Sequence, residues 1–196
     1  MQITNVAELK TFFDDYVFGY MCKDIQRELD LASSGKNAGN FLSALGLLCY
    51  TEFMGGIMRG THKPGNSGKN FNAFLNLMGA EYVKFTQTCD VYKVFRCGLV
   101  HEYFSKQTCT IIMLNSSQKE IVIQGNQQPA SWMIPDETIE LPVNVGIGQA
   151  TNGNHYFIVE KYLEDFQKAC RKLLSEFEGG QRSVTAQPFQ LHWPEL

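Results

Sequence analysis

Apolar residues in the first part of the chain recur at helical spacing. Over residues 5–32 they are Val6, Leu9, Phe12, Phe13, Tyr16, Val17, Tyr20, Met21, Ile25 and Leu29, the period of a long amphipathic helix. Thr4 or Asn5 can cap its start, with Glu8 three to four residues on. Ser33-Ser34-Gly35 stops it. A second helix is expected over 40–58, with the stripe Phe41, Leu45, Leu48, Cys49, Phe53 and Ile57. Apart from Glu52 and Arg59 this stretch is nearly devoid of charge, which places it at the centre of a bundle. Gly46, Gly55 and Gly56 each lower helix propensity by about 1 kcal/mol against Ala, so they read as points of close packing. The Gly-, Pro- and Asn-rich run 60–70 is a loop. Helices are expected again at about 70–85, with Phe71, Phe74, Leu75, Met78, Tyr82 and Phe85, and at about 90–105, with Val91, Phe95, Leu99, Val100, Tyr103 and Phe104.

After Lys106 the period changes from 3.6 to two. Residues 108–114 are β-branched and apolar, and 120–124 alternate Ile121 and Ile123 with polar neighbours. The five residues 115–119 between them suggest an antiparallel hairpin. Residues 125–155 hold short extended pieces at best, such as 139–145, and 156–159 can add a strand or begin the next helix. Helical period returns at 160–177 and ends at Gly179-Gly180. No repeat or low-complexity tract interrupts the chain. The expected fold class is therefore mainly α: a bundle of about five helices with a small antiparallel β-hairpin inserted before the last helix. It forms a single domain over 1–196, with a β-containing insertion at about 106–158 and a tail at 181–196.

Composition narrows the partners. Hydrophobic residues make up 44% of the 196 and charged residues 19%, enough apolar material for a packed core. A net charge of −3 excludes a DNA-wrapping surface and leaves any nucleic-acid site to a local patch. No apolar run is expected to reach the roughly 18–20 residues that span a bilayer, and no secretory signal is expected in residues 1–5, which lack a basic stretch followed by an apolar one. Cys22, Cys49, Cys97 and Cys170 sit in helical patterns with apolar neighbours, as buried thiols of a cytoplasmic protein do.

Several motifs fail on spacing. Gly65-Asn66-Ser67-Gly68-Lys69-Asn70 is no phosphate loop, because position 63 is Lys and position 70 is Asn. His101-Glu102 does not continue to a second His, since position 105 is Ser. Gly146-Ile147-Gly148 lacks a third Gly at 151. There is no C-x-x-C, and although Cys97 and His101 share a helical face, nothing supplies two more ligands. The expectation is no metal and no cofactor.

What remains is Phe95-Arg96-Cys97-Gly98-Leu99-Val100-His101-Glu102-Tyr103. An Arg and a His stand five residues apart in an apolar helix, about 140° around the axis, where they can flank one groove. Gly98 between them allows a close approach. A purely structural reading is also open: Arg96 pairs with Glu102 or Asp90, and His101 is satisfied inside the core. Of the other histidines, His62 falls in the Gly/Pro loop, His155 at a loop end and His192 in the tail.

The string Arg96–Tyr103 resembles the R-x(4–6)-H signature of the HEPN superfamily, the higher eukaryotes and prokaryotes nucleotide-binding domains. The segment Leu47-Leu48-Cys49-Tyr50-Thr51-Glu52 looks like the helix that packs beside that signature. The resemblance covers about residues 1–105 and the last helix. It departs from many catalytic members at Cys97, where they carry a polar residue. It implies a metal-independent endoribonuclease of toxin or defence type, in which two copies of the chain pair their motifs in one cleft. His101 would be the general base or acid and Arg96 the phosphate clamp, with Glu102 and Tyr103 touching substrate and Glu52 serving as an orienting or salt-bridge partner. The partners implied are a second copy of the chain and RNA or a nucleotide. The alternative is a non-catalytic HEPN-like module that dimerises or binds a small anion or nucleotide.

Overall fold

The computed structural model describes residues 3–34, 39–102, 109–113, 145–150 and 153–184, with residue 102 described in its backbone alone. The first helix is continuous in three pieces: α1 Val6–Phe12, a π-helical stretch π1 Phe13–Met21, and α2 Cys22–Ser33. Asn5 is the cap. Its side chain accepts from the Glu8 N–H at 2.9 Å, and the Glu8 carboxylate reaches back to the Thr4 N–H at 2.7 Å, a reciprocal arrangement that satisfies exposed donors at the helix start. In π1 the backbone bonds span five residues, as from the Cys22 N–H to the Val17 carbonyl. Gly19 suits this wide turn, since a Cβ there would lie 3.1 Å from the Asp14 carbonyl.

Next come α3 Asn40–Arg59, α4 Ser67–Leu77 and α5 Ala80–Thr88. The single helix expected at 70–85 is thus two. Gly79, at φ +147°, breaks it with a backbone that L residues with a Cβ rarely adopt. A second π turn, π2 Tyr92–Arg96, runs straight into α6 Cys97–Glu102. The strands β1 Cys109–Ile112, β2 Ile147–Gln149 and β3 His155–Ile158 precede the last helix, α7 Val159–Glu178.

The sheet differs from the expected hairpin. Its order is β1-β3-β2. β1 lies where a strand was expected but pairs parallel with β3, Cys109 opposite His155 and Ile112 opposite Ile158. The antiparallel pair is β2 with β3, Gly148 opposite Tyr156. The second arm of the expected hairpin, 120–124, lies outside the described residues. Periodicity finds strands without finding their partners. Here the central position goes to β3, which is buried at all four residues and so needs cover on both edges and both faces.

α3 organises the core. By length and composition it could cross a membrane, with a mean hydropathy of 1.4 over its apolar window, contrary to the expectation that no run was long enough; half of that window is buried within this fold. Gly55 lets α4 come so close that a Cβ there would lie 1.8 Å from the Asn70 carbonyl oxygen. Thr51 donates to the Leu47 carbonyl at 2.8 Å and lies 2.9 Å from the Tyr162 hydroxyl, from which it therefore accepts. Tyr82 of α5 donates to Asp165 of α7 at 2.7 Å and accepts from the Gly146 N–H at 3.0 Å. Lys161 holds the other Asp165 oxygen at 2.7 Å. Burial pushes the Tyr82 and Tyr162 phenols far above their ordinary range. All six cysteines are free, and burial raises the Cys22 thiol to about 11.

Two substitutions test this packing. Gly55→Ala stabilises an open helix by about 0.5–1 kcal/mol, but here it is expected to lower the thermal midpoint because α4 must be displaced; a rise would contradict the close approach. Tyr82→Phe leaves Asp165 and the Gly146 N–H each short of a partner and is expected to cost about 1–3 kcal/mol in denaturant unfolding. An unchanged midpoint would contradict the network.

Candidate functional site

Arg96 is the last residue of π2, and its side chain turns onto α3. Its Nε lies 2.7 Å from the Glu52 Oε2. Both side chains are largely covered, 20% and 18% exposed, so the charges compensate each other in a poorly solvated place. Glu52 is thus a salt-bridge partner, and no pairing with Asp90 forms among the described residues; the Glu102 side chain lies outside them. Tyr92, one turn earlier, sets its ring 5.7 Å from the Arg96 guanidinium carbon, close enough for attraction between the cation and the ring face. Tyr92 is itself wedged against the start of α4. Its ring centroid is 5.6 Å from that of Phe71, and a Cβ at Gly68 would meet it at 3.2 Å. Burial first, then the Glu52 charge, raises the Tyr92 phenol.

Gly60, at φ +67°, closes α3 in the left-handed conformation, and the chain folds back. This brings His62 onto α3: a Cβ on Gly56 would lie 2.0 Å from the His62 Cε1, and the ring sits 5.3 Å from that of Phe53. Gly56 is one turn beyond Glu52 on the same helical face, so the imidazole lies beside the carboxylate that holds Arg96. Burial lowers the His62 pKa, and the Glu52 charge opposes that shift. Cys49, on the preceding turn, has its thiol raised by burial, with Arg96 pulling the other way.

Of the four expected site residues, Arg96 and His101 have described side chains. Arg96 is turned inward onto Glu52. His101 is exposed on α6, with no hydrogen bond or ion pair among the described residues, so the buried, satisfied His101 of the structural reading is not what the fold gives. Glu102 is the last residue of α6, and its side chain lies outside the described residues, as does Tyr103. His155 is not at a loop end; it opens β3, is buried, and meets the Phe95 ring edge-on at 5.4 Å. Sequence reasoning missed His62 and Tyr92. The available signal was Gly56, a gap one turn from the only acidic group in α3, but nothing in the sequence says which side chain fills it.

Chemically, the contact with Glu52 is made through the Nε of Arg96. The two terminal Nη groups carry four of the five guanidinium donors and are the part able to grip a phosphate bidentately.

The lowered His62 pKa has a stability consequence. The unfolded state takes up a proton near pH 6.5 and the folded state only below that. Stability is therefore full above pH 6.5 and falls as pH drops below it. Denaturant midpoints at pH 7.5 and 5.5 are expected to differ more in the wild type than in His62→Gln; parallel slopes would contradict the assignment.

No family model, curated protein or solved structure matches this chain.

Proposed function

We propose that the protein is a HEPN-like, metal-independent endoribonuclease, with Arg96 as phosphate clamp and His101 as proton-transfer group. The observation that carries this reading is the exposure of His101 on α6, the helix that continues directly from the π turn holding Arg96. An imidazole in that position meets a substrate without unfolding the helix. In the reaction, His101 takes the proton of an RNA 2′-hydroxyl, the 2′-oxygen forms a bond to phosphorus, and the P–O5′ bond breaks. The departing 5′-oxygen takes up a proton, leaving a 5′-hydroxyl and a 2′,3′-cyclic phosphate. Arg96 stabilises the charge gathering on the phosphoryl oxygens.

Because Arg96 and His101 diverge within one chain, the reading requires the motifs of two copies in one cleft. Val100, 39% exposed beside His101, supplies apolar surface for that contact. The Glu52–Arg96 pair favours the second reading, a non-catalytic module that dimerises or binds a small anion or nucleotide, since the clamp already has a counter-charge.

Light scattering at micromolar concentration is expected to give about twice the chain mass of 22.2 kDa. Purified protein is expected to cleave RNA in EDTA, and His101→Ala to lose about 10²–10⁴-fold in rate with its fold retained. RNA binding without cleavage would select the non-catalytic module. Cleavage unaffected by His101→Ala would dismiss the assigned role.

A further inference from the structure

His62 lies outside the Arg–His signature, yet it occupies the face of α3 that carries Glu52. The loop that delivers it is anchored at Thr61 on both of that residue's backbone groups. The Thr61 N–H donates to the Gly56 carbonyl at 3.0 Å, and the Thr61 carbonyl accepts from the Asn70 side chain at 2.8 Å. Asn70 is in turn hydrogen-bonded by Arg59. Gly56 leaves the space that the imidazole fills, so His62 is seated in a notch of α3 and not merely resting on its surface. The same Glu52 pairs with Arg96, which is backed by Tyr92. One carboxylate thus has two basic neighbours, one from the loop and one from π2.

We propose that His62 is a positioning residue for Arg96: the two share Glu52, so that a phosphate-class anion seated on the Arg96 guanidinium and a proton on His62 favour each other. This deepens the reading of Arg96 as a phosphate clamp and rests on that reading.

The balance of charges gives the mechanism. Without ligand, Glu52 compensates Arg96, and His62, held below its ordinary pKa by burial, is neutral at pH 7.5. An anion on the outer Nη groups adds negative charge to the cluster. The guanidinium then has two counter-charges, and Glu52 is released to interact with a protonated His62. Linkage makes the effect reciprocal: protonating His62 draws on Glu52 and strengthens the grip of Arg96 on the anion. Among the described residues, the charged and titratable groups in this neighbourhood are Glu52 and Cys49 from α3, Arg96 and Tyr92 from π2 and Cys97 at the start of α6; Arg59 is engaged with Asn70. An imidazole is the side chain whose ordinary range lies nearest neutrality, so the proton coupling falls to His62.

Sulfate is the suitable probe, because its charge is constant between pH 5 and 8 whereas phosphate itself titrates. The experiment follows the histidine ring signals and the Arg96 Nε–H signal of the whole chain by NMR, with signals assigned through the backbone. Salt is exchanged at constant ionic strength. In the wild type, sulfate is expected to raise the titration midpoint of His62 and to move the Arg96 signal with the same saturation. Sulfate affinity is expected to be roughly threefold tighter at pH 5.5 than at 7.5, with most of that difference lost in His62→Gln. A His62 midpoint indifferent to sulfate overturns the proposal, and so does an equal pH dependence in His62→Gln. Should that variant not fold, the wild-type midpoint and the Arg96 signal decide alone. Because the readout needs no RNA, the two readings fail separately. Sulfate coupling without RNA cleavage removes the nuclease and keeps the anion site. Cleavage without coupling removes His62 from the site and leaves the nuclease standing.

Discussion

The fold turns on a helix that is almost free of charge. α3 is apolar around most of its circumference, and two of its few polar groups are answered by different neighbours. Thr51 is answered by Tyr162 of α7 and Glu52 by Arg96 of π2. Gly55 and Gly56 leave hollows that the α4 backbone and His62 fill. A carboxylate covered to this degree is costly unless paired, so Glu52 requires a cation beside it. That requirement places π2 and the start of α6 against α3, and it fixes which way Arg96 points.

The same constraint separates the two residues that the signature brings together in sequence. Arg96 is held inward by Glu52 while α6 carries His101 to the surface. One element therefore presents a compensated cation on one side and an exposed base on the other. A cleft completed by a second copy reconciles the two; so does a module whose Arg96 grips an anion without chemistry. In both of these proposed readings, the strength of the Glu52–Arg96 pair would govern what the guanidinium can bind.

Most of the helical layout was legible in the sequence because helices bury one face and the 3.6-residue period records it. The long first helix, α3 and α7 lie within a residue or two of the expected bounds, and Gly55 and Gly56 serve as the packing points their positions implied. Gly79 split a helix that apolar spacing alone ran through. The π turns left no trace, since one wider turn changes hydrogen bonding without changing composition. Strand pairing was illegible for a related reason: β1 meets β3 across more than forty residues of sequence, and alternation carries no information about partners. At the site, Arg96 and Glu52 were legible as an arginine and the lone carboxylate of an apolar helix. His62 was not, because a loop residue reaches its place through the turn at Gly60, which only the folded chain shows.

The most direct test of this account is a double-mutant cycle on Glu52 and Arg96, using Glu52→Gln, Arg96→Gln and the pair together, followed by denaturant unfolding. If the ion pair orients π2 on α3, the two single changes are non-additive, with a coupling of about 1–2 kcal/mol. Additive losses, with coupling near zero, would mean that Arg96 is not held by Glu52 and would contradict the account.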